Sequence, residues 1–243
     1  MKDIKDLRVT QIRIFPVGTI PYSTLCVPTK LSKLKDFFHF GSQEIPFPLQ
    51  DPNSPNLLVF LSGEVKINEK DLVIDKLTFE GRKITVDVMG DSSDADSAFK
   101  EIAKVINELT GRDDLNEEIC LVKTQETKCL VNLDINFWDI FDQKVDTFIK
   151  KEVSPNLRSP VISIEPKKLA FEILFRQREE LEKEKISLSP KPLIIEPNEA
   201  TPLEKGIFYT HTPFDSNIHF QVIKAFEDAF SSPPKLAKKG KKE

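Results

Sequence analysis

The chain has 243 residues, enough to bury a core in one large domain or in two closely packed halves. Apolar residues at 39% and charged residues at 30% mark a globular composition, and no run reaches the about eighteen apolar residues that a bilayer-crossing helix needs. A net charge of −4 with seven arginines argues against a general nucleic-acid coat protein, because arginine is the preferred fork for phosphates and base edges.

In the opening MKDIKDLRVTQIRIF, charges interrupt every apolar run, so it does not read as a secretory signal. From Leu7 to Phe15 apolar and polar residues alternate, which predicts a strand. A proline-punctuated stretch follows to Pro55, where KLSKLKDFFHF is the one short helix candidate. LLVFLSGEVKI, DLVIDKLTFEG and KITVDVMG then read as three strands of an antiparallel meander, with INEKD and EGRK as turns. VMGDSSDADSAF leads into a helix whose apolar stripe runs from Ala95 through Ala98, Phe99, Ile102, Val105, Ile106 and Leu109. Thr110-Gly111 is its expected stop.

ICLVKTQETKCLVNLD predicts a second hairpin that turns at TQET and brings Cys120 near Cys129. INFWDIFDQKVDTFIKK predicts a second helix, and VSPNLRSP, residues 153–160, a linker. Beyond it, VISIEP and KKLAFEILF read as strands and RQREELEKEK as a solvated helical turn or hairpin tip. ISLSPKPLIIEP is strand-like, but Pro190 and Pro192 confine it to a sheet edge. GIFYTH is a last strand and SNIHFQVIKAFEDAF a last helix, with Ile218, Val222, Ile223, Phe226 and Phe230 as its apolar face. Residues 232–243 have no apolar periodicity and are expected to be a disordered, lysine-rich tail.

These elements predict an α+β protein of mostly antiparallel sheets with one or two long helices packed on each. The expected division is an N-terminal half over 1–152, the linker 153–160, and a C-terminal half over 161–231 packed on the first. Sliding KITVDVMGDSSDADSAFKEIAKVI by 121 residues lays Asp94 on Asp215, Phe99 on Phe220 and Ile102 on Ile223, a sparse echo of a pseudo-repeat.

Each candidate site has a bland competitor. Asp91, Asp94 and Asp215 stand at strand-to-helix junctions, where carboxylates can ligate a divalent metal. Helix starts need caps everywhere, so amide capping is the expected role, with Ser93 and Asp96 at capping-box spacing. Gly63-Glu64-Val65-Lys66 matches half of a metal-dependent nuclease site, with Glu64 for Mg²⁺, Lys66 for the attacking water and Asp51 as the upstream carboxylate. That chemistry requires Glu64, Lys66 and an Asp within about 5 Å in a cleft. On a simple strand, Glu64 and Lys66 would instead point to water while Val65 and Ile67 point inward.

The histidines, 39, 211 and 219, have no metal spacing, although His211 and His219 could converge with Asp215. Cys26 with His39 could pair a nucleophile with a base, but nothing near Cys26 would depress its pKa. The tail lysines Lys238, Lys239, Lys241 and Lys242 could touch nucleic acid or an acidic partner. No glycine-rich phosphate loop is present, and no cofactor is expected.

No catalytic template is complete, so the leading expectation is a cytoplasmic, non-catalytic scaffold or accessory subunit that binds a protein partner or itself. Proline-bearing strands and a phenylalanine-rich chain point to sheet edges and apolar grooves as the means. The alternatives are a hydrolase or nuclease through Glu64, Lys66 and an Asp, and a nucleic-acid-associated protein through the tail.

Overall fold

A computed structural model of the chain describes residues 1–44, 57–141, 151, 167–174 and 179–231. The described strands form one sheet of nine, antiparallel throughout, in the order β2-β3-β4-β5-β1-β6-β9-β8-β7. Strand β1 spans Lys2–Ile14, β2 Ser42–Glu44, β3 Leu57–Ile67, β4 Lys70–Glu80 and β5 Lys83–Met89. Strand β6 spans Val122–Asn132, β7 Leu169–Ile173, β8 Lys191–Pro197 and β9 Ile207–Thr212. The helices are α1 (Tyr22–Leu25), α2 (Pro28–Phe37), α3 (Ser92–Thr110), α4 (Glu179–Lys183) and α5 (Ser216–Phe230), with a 3₁₀ turn at Phe137–Ile140. No described helix is long and apolar enough to cross a membrane.

The meander β3-β4-β5 forms as its alternation requires, and Asn68 and Glu69 take the left-handed conformation of a tight hairpin. Beneath it α3 buries Ala95, Ala98, Phe99, Ile102, Val105 and Ile106. Residues of α1, α2, β1 and β3–β5 complete this first core. A chain of rings runs through it: Phe38 to Phe40 at 5.8 Å, Phe40 to Phe60 at 5.1 Å, Phe60 to Phe79 at 6.3 Å. Gly63 is required by this packing, since a Cβ there would strike the Phe40 ring and lie 2.9 Å from the Phe38 carbonyl oxygen. A second, smaller core gathers Cys129, Val131, Leu133, Phe137, Ile195, Phe208 and Ile223 under α5.

Three expectations from the sequence are corrected. TQET is no turn: β6 runs unbroken through it along β1, and Cys120 packs on the first core while Cys129 lies in the second. The segment lacks Gly, Pro and Asn, and its threonines suit a strand, paired with β1 throughout and with β9 from Thr127 on. Strand β8 is interior, yet its prolines obey the rule that suggested an edge. β7 pairs with residues 191–195 and β9 with residues 194–197, so Pro192 and Pro197 each have a strand on one side only.

The buried face of α5 is Ser216, His219, Ile223 and Glu227, and Ile218 is exposed. The sheet beneath it offers Thr127, Cys129, Thr210 and Thr212, so polar helix residues turn inward to meet polar strand residues. Strands from residues 1–152 and from residues 161–231 lie in one sheet and meet at the β6–β9 ladder. Of the second predicted helix the structure describes the 3₁₀ turn and Lys151, while the linker, VISIEP and the tail lie outside the described residues.

The two strand–helix units correspond in a different register from the one the sequence echo suggests. Val88, Val9, Thr127 and Thr212 make one row across β5, β1, β6 and β9, with a pseudo-two-fold axis between Val9 and Thr127. Val88 and Thr212, Asp91 and Asp215, and Ser92 and Ser216 are therefore equivalent, each pair 124 residues apart rather than 121.

At this axis α3 and α5 begin side by side. The Ser92 amide donates to Ser216 Oγ at 3.2 Å, and the Ser216 amide donates to Ser92 Oγ at 2.8 Å. Both serines are buried, so Ser92→Ala or Ser216→Ala leaves one amide without an acceptor. Each substitution is expected to cost about 1–3 kcal/mol, read as a lower urea midpoint. An unchanged midpoint would mean that the exchange does not bind the two helix starts together.

Candidate functional site

The carboxylates at the helix starts are engaged with amides and a lysine. Asp91 is the N-cap of α3 and accepts from the Ser93 and Asp94 amides at 2.8 and 3.0 Å. Asp94 returns the exchange by accepting the Asp91 amide at 3.0 Å, and Lys70 Nζ reaches both its oxygens at 2.6 Å. The capping box is thus Asp91 with Asp94, two residues ahead of the expected Ser93 and Asp96, and the helix starts at Ser92. Gly90 makes room for it, because a Cβ there would collide with the Asp94 carboxylate. Burial works to raise the Asp91 pKa, but these hydrogen bonds outweigh it and hold the carboxyl below its ordinary value.

Asp215 caps α5 in the same way, accepting from Asn217 and Ile218 at 3.0 and 3.1 Å. Asp96 serves another purpose, with Oδ1 accepting from Gln11 Nε2 at 2.6 Å and from the buried Arg13 at 2.8 Å. The Arg13 guanidinium lies 3.8 Å from the centroid of Phe99, which makes a polar seam through the first core.

Glu64 and Lys66 are exposed on β3 while Val65 is buried. Among the described residues this is the open, solvated placement of a simple strand face. Asp51, like Lys238, Lys239, Lys241 and Lys242, lies outside the described residues. Cys26 packs against the first core, where burial pushes its thiol pKa up, and His39 is exposed just past α2.

His211 and His219 do not converge on Asp215, for they occupy opposite sides of β9. His219 is fully buried beneath α5. Its Nδ1 meets Thr212 Oγ1 at 2.9 Å, and its Nε2 meets Thr210 Oγ1 at 3.1 Å and Cys129 Sγ at 3.3 Å. A thiol, an imidazole and an orienting hydroxyl resemble a nucleophile, its base and a positioner. Burial defeats that chemistry, pushing the thiol up and the imidazole down to about 4, so near neutral pH neither group is charged. The cluster is a neutral polar lock between β6, β9 and α5.

On the other side of the sheet His211 Nε2 lies 2.9 Å from Glu126 Oε2, and Lys191 Nζ is paired with Oε1. The His211 hydrogen bond, against the cost of burial and with help from Lys191, holds Glu126 down at about 2. With both oxygens engaged, this carboxylate ties β6, β8 and β9 together where the β8–β9 ladder ends at Ile194 and His211. No group of three or more His, Cys, Asp or Glu among the described residues is arranged to hold a metal ion.

A cleft of about 930 Å³ lies near Met1, Asn132–Phe137, Leu203–Gly206 and the last turns of α5. Its buried carboxylate, Glu227, already accepts from the Asp134 amide at 3.0 Å and from Lys224 at 3.0 Å, and pairs with the Met1 amino group.

The remaining feature is the edge strand β7. Ala170, Phe171 and Glu172 are exposed, Phe171 at 56%, and Leu174 just beyond is exposed at 72%. Its backbone has a known polarity. The Asn198 amide donates to the Ile207 carbonyl at 2.9 Å, which turns the even-numbered residues of β8 toward β9 and the odd-numbered ones toward β7. Leu169, Phe171 and Ile173, the register partners of 195, 193 and 191, therefore turn their amides to β8. The amides and carbonyls of Ala170 and Glu172 face outward.

This edge was not legible in the sequence. KKLAFEILF shows the alternation of a strand, but nothing local says that it stands last among the described strands of the sheet. The Cys129–His219 contact was hidden as well, because its partners are 90 residues apart. No protein-family model and no curated protein matches this chain.

Proposed function

We propose that the protein is a non-catalytic scaffold or accessory subunit that binds another protein chain by adding one of its strands to β7. The observation that carries this reading is that no described strand pairs with the outer edge of β7. Five residues without proline, bulge or lysine leave outward amides and carbonyls at Ala170 and Glu172, beside the exposed side chains of Phe171 and Leu174. Natural sheets blunt such edges unless they use them, because an open row of amides and carbonyls is a template for an incoming strand. Main-chain hydrogen bonds would supply affinity and the apolar side chains on one face would supply selectivity. The free thiols of Cys26, Cys120 and Cys129 support a cytoplasmic setting.

The test separates the edge from the fold. In Glu172→Pro the lost N–H is one that points outward, so the β7–β8 ladder keeps its bonds. The melting temperature should stay within about 2 °C of the parent. A photo-crosslinking residue placed at Phe171 should form an adduct with a partner chain in native extract, and Glu172→Pro should abolish it. An absent adduct, or one that survives the proline, overturns the reading.

A further inference from the structure

We propose that the chain entering at β7 is a second copy of this one, paired antiparallel about a two-fold axis at Ala170. The inference rests on the reading of β7 as a strand-accepting edge and names its partner.

Hydrogen-bond polarity limits the pairings. In an antiparallel ladder outward-facing residues must meet outward-facing residues, and on this edge these are Ala170, Glu172 and, one step before the strand, Lys168. Two copies can then be centred on Ala170, on Phe171 or on Glu172. Centring on Glu172 sets two carboxylates face to face, which is repulsive. Centring on Phe171 places Glu172 opposite Ala170 and makes no direct charge pair. Centring on Ala170 places Lys168 directly opposite the partner's Glu172, and by symmetry does so twice. It also sets Leu169 against the partner's Phe171 twice, covering the exposed ring on the apolar face.

Lys168 and Glu172 are both exposed, and neither is in an ion pair with a described residue. A basic and an acidic residue equally spaced about a small central one complement themselves under a two-fold rotation. This self-complementarity is the requirement of an isologous interface. A foreign strand would meet the same hydrogen bonds, but nothing would match its charges to these two positions.

Sedimentation velocity on the full chain at micromolar concentration tests the proposal. The expected species has twice the 27.7 kDa mass of one chain. Lys168→Glu alone and Glu172→Lys alone each put like charges opposite one another twice, and each should weaken the dimer about tenfold or more. The double variant carrying both changes restores opposite charges and should restore the dimer. A monomeric parent, a dimer indifferent to both single reversals, or a double variant no better than the singles overturns self-pairing. A monomeric parent that still forms the proline-sensitive adduct at position 171 with a different chain removes this inference and leaves the proposed function standing. The absence of both removes both.

Discussion

Lowering the pH from 7 to 4 should remove about 3 kcal/mol of folding stability through His219 alone. In the folded chain burial, followed by the charge of His211, holds this imidazole neutral down to about 4, against an ordinary 6.5 when unfolded. Below pH 6.5 the unfolded chain therefore binds a proton that the folded chain refuses. The stabilising contribution is complete above pH 6.5 and falls away down to about pH 4, beyond which both states carry the proton. Glu126, held at about 2 against an ordinary 4.5, adds a second loss confined to lower pH.

Urea denaturation at half-unit steps from pH 7 to 4.5 isolates the histidine window before the carboxylates contribute. His219→Gln keeps hydrogen-bonding capacity without titrating, so its stability should be nearly flat over that range, whatever its absolute value. A parent curve as flat as that of the variant would mean that His219 is not held neutral in the folded state.

Phe60→Ala should be the most damaging single truncation, at about 3–5 kcal/mol and roughly 10 °C in melting temperature for a chain of this size. Phe60 has no exposed surface and stands between Phe40 and Phe79 in the ring chain of the first core. Its neighbours come from β3, β4 and the turn after α2, and the close approach of Phe40 to Gly63 leaves little freedom to collapse into the void. Val17→Ala is the control, since its side chain is 81% exposed and its truncation should move the melting temperature by no more than about 2 °C. Equal effects at the two positions would mean that the ring chain is not the stabilising centre.

How much of this was readable depends on the range of the interaction responsible. The meander, α3 and α5 follow from local pattern, because burying one face imposes a period of two on a strand and 3.6 on a helix. The capping role of Asp91 and Asp215 was readable for the same reason, although the position of the box was not. Gly90 and Asp94 determine it through a close approach that spacing alone does not reveal. TQET misled because a polar run inside a strand looks like a turn until β1 and β9 are known to flank β6.

The α5 face misled for a related reason. Hydrophobic periodicity assumes an apolar floor, and under the first turns of α5 the floor is threonine and cysteine, so His219 is buried and Ile218 is not, while Ile223 farther along packs on the apolar second core.

An antiparallel α+β chain with two strand–helix units follows from residue order alone, since alternation, stripes and caps are properties of neighbours within a turn or a hairpin. Long-range packing supplied the rest: the units share one sheet about the Val9–Thr127 row, a thiol and an imidazole meet beneath α5, and β7 stands last among the described strands. Strand order and the polarity of an edge depend on pairings across long loops, and one chain read residue by residue carries no record of which strand lies beside which.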